Sequence, residues 1–318
     1  MKYQKDRLEL PRLGLGCSRM SSSLSSSNDR SESIATIQAA LDTGIRFINT
    51  ADFYGSGHNE MLIGEALKGF KRNKVFISLK FGALVAPNGM HYAIDVRPKS
   101  VKNYCAYSLQ RLRLDYIDLY QPGRIDPDIP VEETIGAISE LVHAGYVKHI
   151  GITQVNAETL QRAHTAYPIS LVEQEYSLFN RNIEKELLPT ARKLGIGIVA
   201  FGVLSQGLLS GSWTKDRPKE KLNYSPRFAD ENFDKNLLLV EALRKIAVEK
   251  NITLSQLAYA WILSKGEDIL PLVGARRVTQ LQETITSLDV TLSESDIKRI
   301  ENVVPHNAVA GGFFPGHQ

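Results

Sequence analysis

The feature that most narrows the fold of this chain is a recurrence. Short runs rich in Val, Ile and Leu return along its length, and segments with helical marks lie between them. The runs are "LPRLGLGC" (10–17), "GIRFIN" (44–49), "KVFISLK" (74–80), "DYIDLYQ" (115–121), "VKHIGIT" (147–153), "SLVEQEYS" (170–177), "GIGIVAFG" (195–202) and "DILPLVG" (268–274). Most are nearly continuous in apolar residues rather than alternating, as expected for strands covered on both faces in a parallel sheet. Between them, Pro98 opens a segment with Val101, Cys105, Leu109 and Leu112 on one helical stripe. Pro130 opens another, with Ile135, Ile138 and Val142 in register and Gly145 beyond its end. "SIATIQAALDTG" repeats the pattern with Ile34, Ile37 and Leu41, and stops at Gly44.

Eight strand candidates separated by helices, with no composition break resembling a linker, predict one closed (β/α)8 TIM barrel over residues 1–318. The rival is a doubly wound open sheet, which usually carries a glycine fingerprint leading straight into a helix. Here "GLGCSRM" runs instead into "SSSLSSSN". Two segments fall outside the repeat: the polar loop 21–30, and a long connection from about 205 to 236 of the size that forms lids or binding loops. The last stretch, "VPHNAVAGGFFPGHQ", follows a final helix and is placed to reach the barrel mouth.

A net charge of +3 argues against nucleic acid or an anionic membrane surface as partner. The two cysteines, Cys17 and Cys105, make neither a disulfide framework nor a metal site, and their apolar settings predict buried, reduced thiols. The charged start is no secretory signal. No run approaches the ~18 apolar residues of a membrane span. A cytoplasmic protein is the expectation.

Barrels of this kind work at the carboxyl ends of their strands. The polar residues expected there are Asn49 and Tyr54, Lys80, Gln121 and Arg124, Thr153 and Gln154, and Glu173, Gln174 and Glu175. None has metal-ligand spacing, so no metal is expected. Lys80 closes the apolar run "VFISL". It would either snorkel to water or sit as a cation beside a phenol. With an ordinary pKa of about 10, tyrosine is a poor acid unless a positive charge favours its anion. Tyr54 and Lys80 would form such a pair, with the phenol handing its proton to a developing alkoxide.

At these residues the chain resembles the aldo-keto reductase superfamily over nearly its whole length. "FINTADFYGSGHNEMLIGEAL" is similar to the family block F-D-T-A-x-x-Y-G-x-G-x-N-E-x-x-x-G-x-A-L, and "SLQRLRLDYIDLYQ" to a second block. "AFGVLSQGLLSG" and "PLVGARRVTQLQET" resemble two cofactor loops, and "SPRF", "ENFDKNL" and "AVAGG" resemble the branch with a longer final loop. The resemblance implies a barrel with an N-terminal hairpin, an extra C-terminal helix and a tail. It implies NADP(H) as cofactor and hydride transfer with a small aldehyde, ketone or alcohol. By position, Tyr54 is the proton donor and Lys80 its partner. Thr153, Gln154 and Gln174 would bind the carboxamide, Phe201 would stack on the nicotinamide, and Gly202, Val203, Leu204, Ser205 and Gln206 would wrap the pyrophosphate. Gly274, Arg276, Gln280 and Glu283 would hold the adenosine half, with Arg276 clamping a 2′-phosphate through its planar fork.

The chain departs from the family at two of four active-site positions. Asn49 stands where an Asp is usual, and Gly123 where a His is usual. Asn49 is expected to accept a hydrogen bond from Lys80 and to touch the ribose, but to leave Lys80 less firmly held. Gly123 is expected to leave a space beside Tyr54, with Gln121, Arg124 or Arg19 orienting the substrate. Two readings follow: a reductase acting on a bulkier carbonyl, sugar-like or pyridoxal-like, or a cofactor-binding regulator with little turnover.

Overall fold

The structure is a computed structural model that describes residues 8–21, 30–213 and 225–314. Its strands are β1 (Gly14–Gly16), β2 (Phe47–Ala51), β3 (Phe76–Phe81), β4 (Ile117–Pro122), β5 (Val147–Thr153), β6 (Ile169–Glu175), β7 (Gly197–Phe201) and β8 (Ile269–Val273). Every neighbouring pair is parallel and β1 pairs with both β2 and β8, so the sheet closes into a barrel. The helices that follow include α1 (Arg30–Asp42), α2 (His58–Ala66), α3 (Pro98–Leu112) and α4 (Val131–His143). Pro98 takes the first turn of α3, where its missing N–H costs nothing.

Most apolar side chains fill the layer between strands and helices. A smaller cluster of Phe47, Leu119, Leu171, Val199, Leu270 and Leu272 plugs the barrel interior, with Leu8 and Leu10 of the entering chain packed against it. Strand side chains alternate faces. The residues two steps beyond Phe47, Leu119 and Leu171 therefore also face inward, and these are Asn49, Gln121 and Glu173. The barrel axis thus passes from an apolar plug to a polar layer toward the strands' carboxyl ends.

The expected N-terminal hairpin has no counterpart in residues 8–13, which reach β1 without strand pairing; residues 1–7 lie outside the described residues. An antiparallel ribbon does occur after β3, where Ala83–Val85 pairs with His91–Ile94. The long connection after β7 is also shorter than expected. It begins with a 3-10 turn at Ser205–Ser210, and a 20-residue helix starts at Asp230, inside the span predicted as loop. Of the polar loop predicted at 21–30, residues 22–29 lie outside the described residues, as do 214–224 of the connection and the last four of the tail. The extra C-terminal helix is present at Glu294–Val303, and the chain then returns across the strand ends. Among the described residues no helix is long and apolar enough to cross a membrane. Cys17 and Cys105 are free and buried, and burial pushes both thiols up to about 12.

Candidate active site

Parallel pairing sets the polar layer in register: Asn49 lies beside Ser78, Lys80 beside Gln121, and Thr153 beside Glu173. From β3, Lys80 Nζ donates to Asn49 Oδ1 at 2.6 Å and to Glu173 Oε1 at 2.8 Å. The other carboxylate oxygen of Glu173 accepts from Asn49 Nδ2 at 2.7 Å and from Gln121 Nε2 at 2.6 Å. Both amides also reach Ser78 Oγ, at 3.2 and 3.3 Å. Asn49, Lys80, Gln121 and Glu173 are 3%, 4%, 0% and 3% exposed, so the network is a dry floor.

This geometry corrects two expectations. Asn49 does accept from Lys80, but the ammonium is not loosely held, because Glu173 reaches it from β6 across the barrel. Gln121 is locked into the floor and does not face a substrate.

Tyr54 stands above the floor in the loop after β2, with Lys80 Nζ 5.4 Å from its ring centroid. Burial pushes the phenol above its ordinary value. The Lys80 charge opposes this, the Glu173 charge adds to it, and a hydrogen bond with Lys80 and the Arg124 charge pull it back. The net shift is upward, so Lys80 limits the rise instead of making the phenol more acidic than in water. Burial likewise disfavours the charge on Lys80. Glu173 and the phenol, through charge and hydrogen bonds, outweigh that and raise its pKa.

The loop that carries Tyr54 is braced by residues that the sequence reading left without a role. Thr50 Oγ1 donates to Asn59 Oδ1 at 2.7 Å, while Asn59 Nδ2 donates to Cys17 O at 2.9 Å and Ser21 Oγ at 3.0 Å. His58 is half-buried, with Nδ1 2.9 Å from Ser21 Oγ. Glu60 is fully buried and paired with Arg111. Gly57 has φ 93°, and a Cβ there would meet the Arg111 side chain at 2.6 Å, so glycine is required.

Gly123 does not leave an open space. An added Cβ would lie 2.8 Å from Phe53 Cε1 and 3.3 Å from the carbonyl oxygen of Phe81. The Phe53 ring fills the flank, edge-on to Tyr54 at 5.1 Å and to His91 of the ribbon at 5.2 Å. Burial and then the Arg124 charge lower the His91 pKa and favour neutral imidazole. Arg124 donates to Gly123 O at 2.7 Å and lies 5.1 Å over the ring of Phe314 in the tail.

A second set of polar residues lies at and just beyond the carboxyl ends of β5 to β8. Thr153 Oγ1, Gln174 Oε1 and Gln206 Oε1 are buried without a hydrogen-bond partner among the described residues, which is costly for polar atoms unless a ligand supplies one. Gln174 Nε2 reaches Val155 O at 3.4 Å, and Gln154 takes a left-handed φ of 53°. At the end of β7, Gly202, Ser205 and Gln206 have φ of 71°, 48° and 57°, which turns the backbone around Val203 and Leu204. Buried Arg227 supports this turn from behind, donating to Ser205 Oγ at 2.8 Å and Glu175 Oε1 at 2.7 Å. Phe313 of the tail stands edge-on to Phe201 at 5.7 Å, and Gln206 Nε2 donates to Phe313 O at 3.0 Å.

Beyond β8, Gly274 and Arg276 are exposed, and the Arg276 backbone N–H donates to Gln280 Oε1 at 3.0 Å. Burial, then the charges of Arg19 and Arg277, lower the Arg276 pKa. Arg19 is thus near enough to Arg276 for its charge to act there. Glu283 is engaged by Thr253 Oγ1 at 3.1 Å. Among the described residues no group of His, Cys, Asp and Glu is arranged to hold a metal.

Comparison with known proteins agrees with this architecture. Residues 12–305 match the model described as "Aldo/keto reductase family". A "Probable aldo-keto reductase 1" of Glycine max is 39% identical over 317 residues, 99% of this chain and 91% of that protein. Among solved structures, a glycerol dehydrogenase from Gluconobacter oxydans superposes with a TM-score of 0.85 at 30% identity, over 92% of this chain and 91% of that one. An aldo/keto reductase from Klebsiella pneumoniae, in complex with NADP and acetate, shares the fold at a TM-score of 0.73 and 24% identity, over 93% of this chain and 92% of that one.

Proposed function

The chain belongs to the aldo/keto reductase family, and from that premise we infer an NADP(H)-dependent oxidoreductase that interconverts an aldehyde or ketone and its alcohol. The observation that carries this reading is the approach of Lys80 to Tyr54 at the barrel mouth, together with buried polar atoms of Thr153, Gln174 and Gln206 that have no hydrogen-bond partner among the described residues. Thr153 Oγ1 and Gln174 Oε1 are chemically suited to a carboxamide, a group with both donors and acceptors. The turn at 202–206 suits a pyrophosphate, since left-handed residues within a turn can gather backbone N–H groups into an anion-binding concavity. Arg276, with Arg19 and Arg277 near it, suits a 2′-phosphate.

When bound, the nicotinamide coenzyme supplies the hydride. Tyr54 supplies the proton: its phenol stays protonated at neutral pH and can donate to the carbonyl oxygen as negative charge develops there. Lys80 lowers the cost of the tyrosinate left behind, and does so strongly because the floor beneath it excludes water. Phe53 and Phe314 present apolar faces at the mouth, and Arg124 offers a cation to a polar substituent of the substrate, as a sugar-like or pyridoxal-like carbonyl would carry. The regulator reading drew its force from Asn49 and Gly123 at two of the four active-site positions, and Glu173 weakens the part that rests on Asn49.

The test is NADPH consumption across a panel of aldehydes, sugars and pyridoxal, with Tyr54→Phe beside the wild type. The variant should bind coenzyme normally and lose ~10²-fold or more in kcat. Unchanged turnover would remove Tyr54 as the donor. Tight coenzyme binding with no consumption by the wild type on any member would favour the regulator.

A further inference from the structure

We propose that Glu173 is the positioning residue of this active site, a carboxylate that enters from β6 and does for Lys80 what Asn49 on β2 cannot. This rests on the reductase reading for its kinetic consequence, but not for its electrostatics. Three observations carry it. Glu173 makes the only ion pair to Lys80 among the described residues, at 2.8 Å. Both its oxygens accept from donors, which come from three strands, so it is a built part of the site. Finally, Asn49 closes the triangle: its oxygen accepts a hydrogen bond from Lys80 at 2.6 Å while its amide nitrogen donates one to Glu173 at 2.7 Å.

That triangle has a mirror image. In Asn49→Asp/Glu173→Gln, the carboxylate sits on β2 and the amide on β6. The oxygen facing Lys80 is then charged at residue 49, and the amide of residue 173 donates back across the barrel. The number of atoms and charges is unchanged. Gln121, whose Nε2 now donates to the same Glu173 oxygen as Asn49 does, must turn its amide so that its Oε1 accepts from the amide of residue 173. Either single substitution breaks the balance. Glu173→Gln leaves a buried ammonium without a counter-charge, which favours its neutral form. Asn49→Asp places two carboxylates where an N–H···O contact of 2.7 Å now stands, and like charges that close cannot both ionise. The structure therefore requires that restoring the family's usual Asp harms this protein unless Glu173 is changed with it.

The experiment follows all four proteins with two readouts. The first is the pH titration of the Lys80 side-chain carbon resonance in the protein without coenzyme, identified by its loss in Lys80→Met. The second is the pH profile of kcat/KM. In Glu173→Gln the Lys80 titration and the alkaline limb should both move down by ~1–3 pH units, with kcat lowered ~10-fold or more. Asn49→Asp alone should also lower kcat ~10-fold or more, and the double variant should return both readouts and kcat to within about threefold of wild type. A merely structural Glu173 would predict additive losses in the double variant and an unmoved titration, and that result overturns the proposal. If no carbonyl is turned over, a Lys80 titration lowered in Glu173→Gln and restored in the double variant still upholds it, and the reductase reading alone falls. Should Glu173→Gln fail to fold, a folded double variant with wild-type Lys80 titration supports the proposal, and an unfolded one sinks it.

Discussion

The packing at Gly123 reverses what the bare sequence suggests. A glycine where relatives carry histidine reads as room for a larger side chain, so replacement by His would be expected to help small aldehydes. The structure predicts the opposite. A methyl group added at Gly123 would stand 2.8 and 3.1 Å from two carbons of the Phe53 ring and 3.3 Å from a backbone oxygen. Carbon atoms rest at about 3.5–4.0 Å, so the ring must retreat by roughly 0.5–1 Å or the backbone must yield. Overpacking of this kind costs about 1–3 kcal/mol. Because Phe53 is covalently next to Tyr54 and packs edge-on against it at 5.1 Å, the displacement passes to Tyr54. Gly123→Ala should therefore lose about 1–3 kcal/mol in denaturant unfolding and lower kcat. Gly123→His should lose more. Phe53→Ala should relieve both, so that the two substitutions couple favourably by at least about 1 kcal/mol in a double-mutant cycle. Wild-type stability and activity in Gly123→Ala, or strict additivity with Phe53→Ala, would refute the packing argument.

Further outcomes concern charge. Asp52 is pushed up to about 7, first by burial and then by Glu60, and its Oδ1 has no partner. Between its ordinary 3.8 and about 7 the folded state holds a proton that the unfolded state has released, so stability falls as pH rises through that window. The full cost above pH ~7 is of order 4 kcal/mol at about 1.4 kcal/mol per pH unit. Asp52→Asn should gain stability relative to wild type at pH 8 and little at pH 4; equal differences at both, measured by urea unfolding, would remove this role. Arg276→Ala should weaken NADPH by roughly 10- to 100-fold, the scale of one charge-assisted contact, and leave NADH within a few-fold. Equal losses in fluorescence titrations would place the 2′-phosphate elsewhere.

Much of this protein could be read from its chain because the signals are local. Strand runs, helix punctuation and the placement of Tyr54 and Lys80 depend on neighbours a few positions away, and period and position suffice to find them. The polar groups at the ends of the strands were legible for the same reason, including Glu173, although its role was not. The roles of Asn59 and Glu60 were hidden, since each is defined by a partner on another segment: Cys17 and Ser21 for one, Arg111 for the other.

By itself, then, the sequence determined the barrel, the polar mouth at its strand ends, and the phenol and ammonium that meet there. Tertiary structure alone decided what surrounds them. Barrel closure brings Glu173 to Lys80, 93 residues away, and to Asn49, 124 residues away. It also sets Phe53 against Gly123, so that a missing side chain becomes a filled contact. The physical reason is the same in both cases. A charge or a volume acts through space, and nothing in the order of residues along one strand records what the opposite wall of a closed sheet will place beside it.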